Sequence, residues 1–305
     1  MIIYLICRAD RSTEGSPQKK ENSMQSKLKV LVVLILFCAA LPAHATIALS
    51  TSGQAQGINP GSLNVTLNSV PANSLIVAHI TASAAPSTVT GIKDCTGSSA
   101  CSGSSADTLT AGIACVQPNS NASGLTVCMY YVCSSSLSGT MTTTATFSGS
   151  LVETLEVESW TGVAATSCLD TTGTNASAGA ASPSTATTSG NITSSNEVLI
   201  GAFIGGSTAP SVGSGFTIVQ NGATFVFFSE YKLNPSSGST ATVTTAYTGS
   251  IAWSQTAEAF VPPATGTARH KILQAKKMND PNYLFLRYLV RTSKFLGDYD
   301  SRRIY

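Results

Sequence analysis

The chain repeats itself. Residues 125–161 read LTVCMYYVCSSSLSGTMTTTATFSGSLVETLEVESWT, and one hundred residues later the same order of residue types returns. Tyr131 is matched by Tyr231, Thr140 by Thr240, Phe147 by Tyr247, and Gly149-Ser150 by Gly249-Ser250. Leu151 is matched by Ile251, Glu158 by Glu258 and Trp160 by Phe260. An ungapped offset carried across strands and turns means two related halves, each reading as a meander of strands. Upstream, Asn73-Ser-Leu-Ile-Val-Ala-His-Ile80 is echoed by Asn196-Glu-Val-Leu-Ile-Gly-Ala-Phe203 at an offset of 123, so the first half carries 23 extra residues between about Gly91 and Leu125.

Between Thr46 and Pro263 helix signals are nearly absent. Ser, Thr, Gly, Ala and Val dominate, in short alternating apolar runs separated by turn residues. That pattern predicts an all-β fold: an antiparallel, jelly-roll-like β-sandwich built from two pseudo-repeated halves. The 218 residues of 46–263 suffice to bury one core between two sheets. Alternation predicts the faces. Around Val127 the odd positions Leu125, Val127, Met129, Tyr131 and Cys133 are the more apolar set and point inward, with Tyr130 and Val132 on the other face. In the last strand of the first half, Leu151, Leu155, Val157 and Ser159 point inward, while Glu156, Glu158 and Trp160 point outward.

Charge is partitioned along the chain. Thr46–Pro263 holds only Lys93 and Lys232 against nine acids, a net of −7 with His neutral, and no Arg. A nucleic-acid partner is excluded for this region, because phosphate binding needs a Lys/Arg footprint. The basic residues lie in the two ends. Lys27 and Lys29 precede an apolar run over 30–40, which ends at an Ala43-His44-Ala45 cleavage signal. Residues 1–45 therefore read as an upstream extension plus signal peptide, with Met24 as the start, and the mature chain opens at Thr46. Its destination is extracellular or periplasmic, with no transmembrane segment in the mature chain. Residues 264–305 form a basic tail in which Asp280-Pro281 predicts the start of a helix over Tyr283–Leu296, outside the sandwich.

Export gives the cysteines a meaning. Cys95, Cys101, Cys115, Cys128, Cys133 and Cys168 remain after cleavage, an even number without a C-x-x-C, which points to disulfides rather than zinc. Cys95 and Cys101 would close a small loop. A hairpin turning at 119–123 would set Cys115 opposite Cys128, leaving Cys133 with Cys168.

Asn73-Ser-Leu-Ile-Val77, Val89-Thr-Gly-Ile-Lys-Asp94, Trp160-Thr-Gly162, Leu169-Asp170, Glu197-Val-Leu-Ile-Gly-Ala202 and Gly213-Ser-Gly-Phe-Thr217 follow one another in an order that resembles a secreted β-sandwich domain of bacterial extracellular proteins. The resemblance covers about Asn73–Val261. It implies an exported sandwich and brings no activity with it. That family usually carries an acid just before the aromatic-Ser/Thr-Gly element, where this chain has Ser159.

For chemistry the chain offers little. His79 is the only histidine of the mature domain and sits on an apolar strand, so it reads as structural rather than as a triad base. The best candidate is Glu156-Val157-Glu158-Ser159-Trp160, where alternation places two carboxylates and an indole on one face. Paired carboxylates are the apparatus of glycoside hydrolysis. The run resembles the strand motif of laminarinase-type glycosidases, but Thr161 stands where the third acid belongs. Binding asks less: Trp160, flanked by Glu156 and Glu158 with Tyr130 nearby, could stack on a sugar and accept its hydroxyls. Asp94 and Asp107 flank the Cys95–Cys101 loop without making up a calcium site. The sequence thus predicts a secreted, non-catalytic sandwich that meets a glycan or cell-surface polymer. The alternatives are a hydrolase using the paired Glu and an envelope component without ligand. No catalytic residue, cofactor or metal is expected.

Overall fold

A computed structural model describes residues 46–58, 60–83, 88–116, 125–148, 152–205, 210–222 and 227–264. The leader, the expected tail helix and the side chain of Cys115 lie outside the described residues. The first half contributes β1 (Ala48–Ile58), β2 (Ser62–Val70), β3 (Leu75–Ser83), β4 (Thr88–Thr96), β5 (Thr110–Val116), β6 (Leu125–Val132), β7 (Gly139–Ser148) and β8 (Val152–Thr161). The second contributes β9 (Leu169–Ala181), β10 (Ser184–Thr187), β11 (Val198–Gly205), β12 (Thr217–Asn221), β13 (Phe227–Leu233), β14 (Thr242–Thr245) and β15 (Ser250–Phe260). All named strand pairs are antiparallel. Among the described residues no helix is long and apolar enough to cross a membrane.

Four sheets form. One five-stranded sheet runs β1-β8-β3-β6-β5 and is covered by the three-stranded sheet β2-β7-β4. The other runs β9-β15-β11-β13-β12 and is covered by the pair β10-β14, extended by a single bridge between Ser211 and Ala246. Sheet neighbours are mostly non-consecutive in sequence, so neither half is the meander expected above.

Side-chain parity shows why both large sheets are covered twice. In β3, Ile76, Ala78 and Ile80 join Leu63, Val65 and Leu67 of β2 and Met141 of β7 in the core of the first sandwich. Leu75 and Val77, on the other face, meet Val198, Ile200 and Phe260 of the second five-stranded sheet. Leu125 and Val127 of β6 extend that contact to Ala202, Ile204 and Phe227. Beyond it, Leu199, Ala257 and Ala259 pack on Ala186 and Val243 beneath β10 and β14. A strand buried on both faces reads as a continuous apolar run, as β11 does in VLIGAFIG, where all eight residues are buried. β2, on an outer sheet, alternates instead: Leu63, Val65 and Leu67 are buried, Asn64 and Asn68 exposed. Gly173 of β9 passes so close to the end of β10 that a Cβ would overlap the Thr187 carbonyl oxygen, so only glycine fits.

This layering corrects the face assignment. The odd positions of β6 and the odd positions of β8 do not share a core. Register sets both Tyr131 and Glu158 beside Val77, so the even face of β8 lies with the odd face of β6. The face of β8 expected to meet solvent is instead pressed against the second sheet.

Cys133 and Cys168 are bonded, with Cα atoms 5.5 Å apart, and tie the end of β6 to the segment entering β9. Cys95 and Cys101 are bonded across a separation of six residues at the end of β4. Cys128 is also disulfide-bonded. In the loop-entropy account the 35-residue closure of Cys133–Cys168 is worth about 4 kcal/mol and the short closure about 2 kcal/mol. Replacing Cys133 and Cys168 by Ala should therefore lower the chemical-denaturation midpoint more than replacing Cys95 and Cys101. Equal losses in the two variants would contradict this ranking.

Candidate functional site

The interface between the two five-stranded sheets holds a cluster of charged and polar side chains where β3 places His79. Register pairs His79 with Glu156 of β8 on one side and Met129 of β6 on the other. Two residues along β8 lies Glu158, opposite Val77, and then Trp160, opposite Leu75. From the facing sheet β15 brings Glu258, which sits opposite Ile200 of β11, and β13 brings Ser229. His79, Glu156, Glu158, Trp160, Ser229 and Glu258 are all 0% exposed. The strand period of two places these groups together: Glu156, Glu158 and Trp160 share one face of β8, and His79 shares it through the ladder.

The geometry is centred on the imidazole. His79 Nδ1 lies 3.4 Å from Glu156 Oε2 and 3.9 Å from Glu158 Oε1. On its far side, His79 Nε2 lies 3.5 Å from Glu258 Oε2. The Trp160 indole N–H donates to Glu158 Oε2 at 2.6 Å. The Ser229 hydroxyl donates to Glu156 Oε1. Two edge-on aromatic pairs flank the cluster: Trp160 with Tyr231 at 5.0 Å and Tyr131 with Phe260 at 5.9 Å.

Electrostatics follow from burial. Loss of water alone would drive His79 toward its neutral form, but Glu258 and then Glu156 outweigh it and hold the imidazole pKa well above its usual value. Burial, reinforced by the Glu156 charge, pushes Glu158 up to about 8, against the opposing pull of His79 and the Trp160 N–H. An ionised group in such a place is costly unless paired. The chemistry open to this arrangement is proton sharing or cation binding: His79, Glu156 and Glu158 each bring one ligand atom within 4.8 Å of the others.

The structure unites part of the expected site. Glu156, Glu158 and Trp160 do share a face, but that face is interior, and no open side of the Trp160 ring is left for a sugar. Tyr130 does not join them. It lies opposite Ala78 on the other face of β6, half-buried against the core of the first sandwich, where burial raises its phenol pKa. His79 is fully buried and central to the cluster. Glu258 and Ser229 escaped sequence reasoning, although the repeat had already paired Glu258 with Glu158.

Other acids serve the framework. Asp94 accepts from the Ser105 hydroxyl at 2.7 Å and the Asp107 N–H at 2.9 Å, and burial raises its pKa. Asp107 accepts from the Ser135 hydroxyl at 2.6 Å and the Ser136 N–H at 3.0 Å. Those donors overcome partial burial and lower its pKa. These contacts shape the loop after Cys95. Glu230 accepts from the Gly213 N–H at 2.8 Å and the Thr245 hydroxyl at 2.9 Å beneath the second sandwich's cover. Glu197 accepts from the Ser194 N–H and the Thr193 hydroxyl.

No family model, no curated protein and no solved structure matches the chain. The resemblance to secreted β-sandwich domains therefore rests on the sequence motifs alone.

Burial raises both Glu197 and Glu230 to about 7, against an ordinary 4.5. A carboxyl with a raised folded pKa favours folding while protonated; that contribution is complete below pH 4.5 and is lost as pH rises through 7. The thermal midpoint should accordingly fall between pH 5 and pH 8. Glu230→Gln can keep an amide oxygen on the Gly213 N–H and an amide nitrogen on Thr245, and should flatten the decline. A midpoint that rises over this range, or an unchanged slope in the variant, would contradict the assignment.

Proposed function

We propose that the mature chain is an exported, non-catalytic component of the cell envelope or surface, built from two copies of one jelly-roll-like unit joined face to face. The observation that carries the non-catalytic reading is the complete burial of Glu156, Glu158 and Trp160. Hydrolysis of a glycan needs two carboxylates flanking a bond that lies between them, and a polymer has no entry to a sealed sheet interface. Any glycan contact of this protein falls on its Ser/Thr-rich outer faces, not on these three buried residues.

Strand order supports the duplication. The orders β1-β8-β3-β6-β5 and β9-β15-β11-β13-β12 place repeat partners at the same rank: β8 with β15, β3 with β11, β6 with β13. The β1-β8-β3-β6 order over β2-β7-β4 has the crossing pattern of a jelly roll, with β5 moved beside β6. The aromatic pairs support it further. Tyr131 meets Phe260 and its repeat partner Tyr231 meets Trp160, a crosswise exchange like that across a two-fold isologous interface. The signal sequence and the two disulfides Cys95–Cys101 and Cys133–Cys168 support an oxidising, exported setting.

The test pairs a polysaccharide hydrolysis assay with a glycan array, on the parent and on Glu158→Gln. The expected result is no release of reducing ends from either protein and one shared binding profile. Turnover by the parent that disappears in a still-folded Glu158→Gln variant would overturn the reading.

A further inference from the structure

We propose that His79, Glu156 and Glu158 form a structural site for one divalent cation of the zinc class, sealed between the two five-stranded sheets. The site is independent of whatever the outer faces bind.

Each of the two carboxylates has one oxygen held and one to spare, and neither ring nitrogen of His79 is hydrogen-bonded. Glu158 Oε2 is held by the Trp160 N–H and Glu156 Oε1 by the Ser229 hydroxyl. His79 Nε2 is set against Glu258. The remaining atoms are His79 Nδ1, Glu156 Oε2 and Glu158 Oε1. All three are buried without a hydrogen-bond partner, and they lie within 4.8 Å of one another. A ligating histidine characteristically donates its second ring N–H to a carboxylate, and ligating carboxylates are themselves hydrogen-bonded. Trp160 and Ser229 occupy the supporting places of the carboxylates, and Glu258 faces the second ring nitrogen at ion-pair distance, 3.5 Å.

Spacing and charge select the ion. Bonds of about 2.0–2.1 Å at the tetrahedral angle set ligand atoms roughly 3.3 Å apart. The separations from Nδ1 are 3.4 Å and 3.9 Å and all three atoms lie within 4.8 Å of one another, so the set would close in around the ion to reach that geometry. One imidazole and two carboxylates are a nitrogen–oxygen donor set suited to zinc, whereas calcium asks for six to eight oxygens. Three carboxylates face a single imidazole here, and among the described residues no lysine comes to their aid. Lys93 donates to the Gly103 carbonyl at 2.9 Å and Lys232 lies over the Phe216 ring. A divalent cation would offset the excess negative charge where water cannot.

The test uses the tag-free exported chain, purified without metal affinity, analysed for metal content, then dialysed against EDTA. It is titrated with ZnCl2 and with CoCl2 by calorimetry, and melted with and without each ion. One equivalent bound per chain, a raised thermal midpoint and a cobalt visible spectrum of tetrahedral nitrogen–oxygen coordination, the three side chains plus one water carried in with the ion, are expected. His79→Gln should abolish binding. Because that variant can fail to fold, Glu258→Gln supplies a second reading: it keeps all three ligands and should weaken affinity about 10- to 100-fold at unchanged stoichiometry. Absence of both heat and midpoint shift with either ion on the folded parent would overturn the proposal. Unweakened zinc binding in Glu258→Gln, or calcium binding in place of zinc, would also overturn it.

Discussion

Two five-stranded sheets, each apolar on both faces, cannot stand in water, and covering them organises everything else in this chain. Each has one face closed by its own smaller sheet. The other face can be closed only by the opposing five-stranded sheet, through Leu75, Val77, Met129 and Trp160 against Val198, Ile200 and Phe260. Burying a side chain of this size contributes on the order of 1.5–3 kcal/mol, so the contact between the halves is comparable to the cores within them. Removing one half would leave a broad apolar sheet face exposed, a surface that soluble monomers rarely tolerate.

Polar groups caught in that contact must satisfy one another, since no solvent reaches them. Three carboxylates, an imidazole, an indole N–H and a serine hydroxyl come from four strands, β3, β8, β13 and β15, and from both sheets. Their arrangement is directional. Tryptophan and serine fix one oxygen each of Glu158 and Glu156, while Glu258 crosses from the other sheet to the imidazole. Replacing one partner alone would leave a buried charge without compensation, which costs more than the pair contributes. The cluster therefore specifies how the two sheets sit on each other, because a slip of one residue along β8 would turn Glu156 and Glu158 into an apolar core.

Much of the fold was legible in the sequence, and the limit is physical. Alternation in β2 and the continuous apolar run of β11 distinguish a strand covered once from one covered twice. The pairing of Cys133 with Cys168 and of Cys95 with Cys101 followed from spacing and parity. What parity cannot supply is register between strands. The alternation of β8 separates Leu155 and Val157 from Glu156 and Glu158, but either set could face solvent or a second core. Acids on a strand ordinarily mark the solvent side, and here they mark the deepest interface. Only the ladder that sets Val77 beside both Tyr131 and Glu158 decides this. The repeat held the missing hint: a carboxylate at the same place in both halves, Glu158 and Glu258, with one histidine on the same parity as Val77.

The central claim is that the two halves are one cooperative structure, closed by the contact between their large sheets. Native-state hydrogen exchange of the amides in β3, β8, β11 and β15 tests it most directly. If the contact binds the halves together, the slowest amides of all four strands should exchange through a single opening whose free energy equals that of global unfolding. Two separate values, with β11 and β15 opening while β3 and β8 stay protected, would show sandwiches that stand independently and would contradict the account.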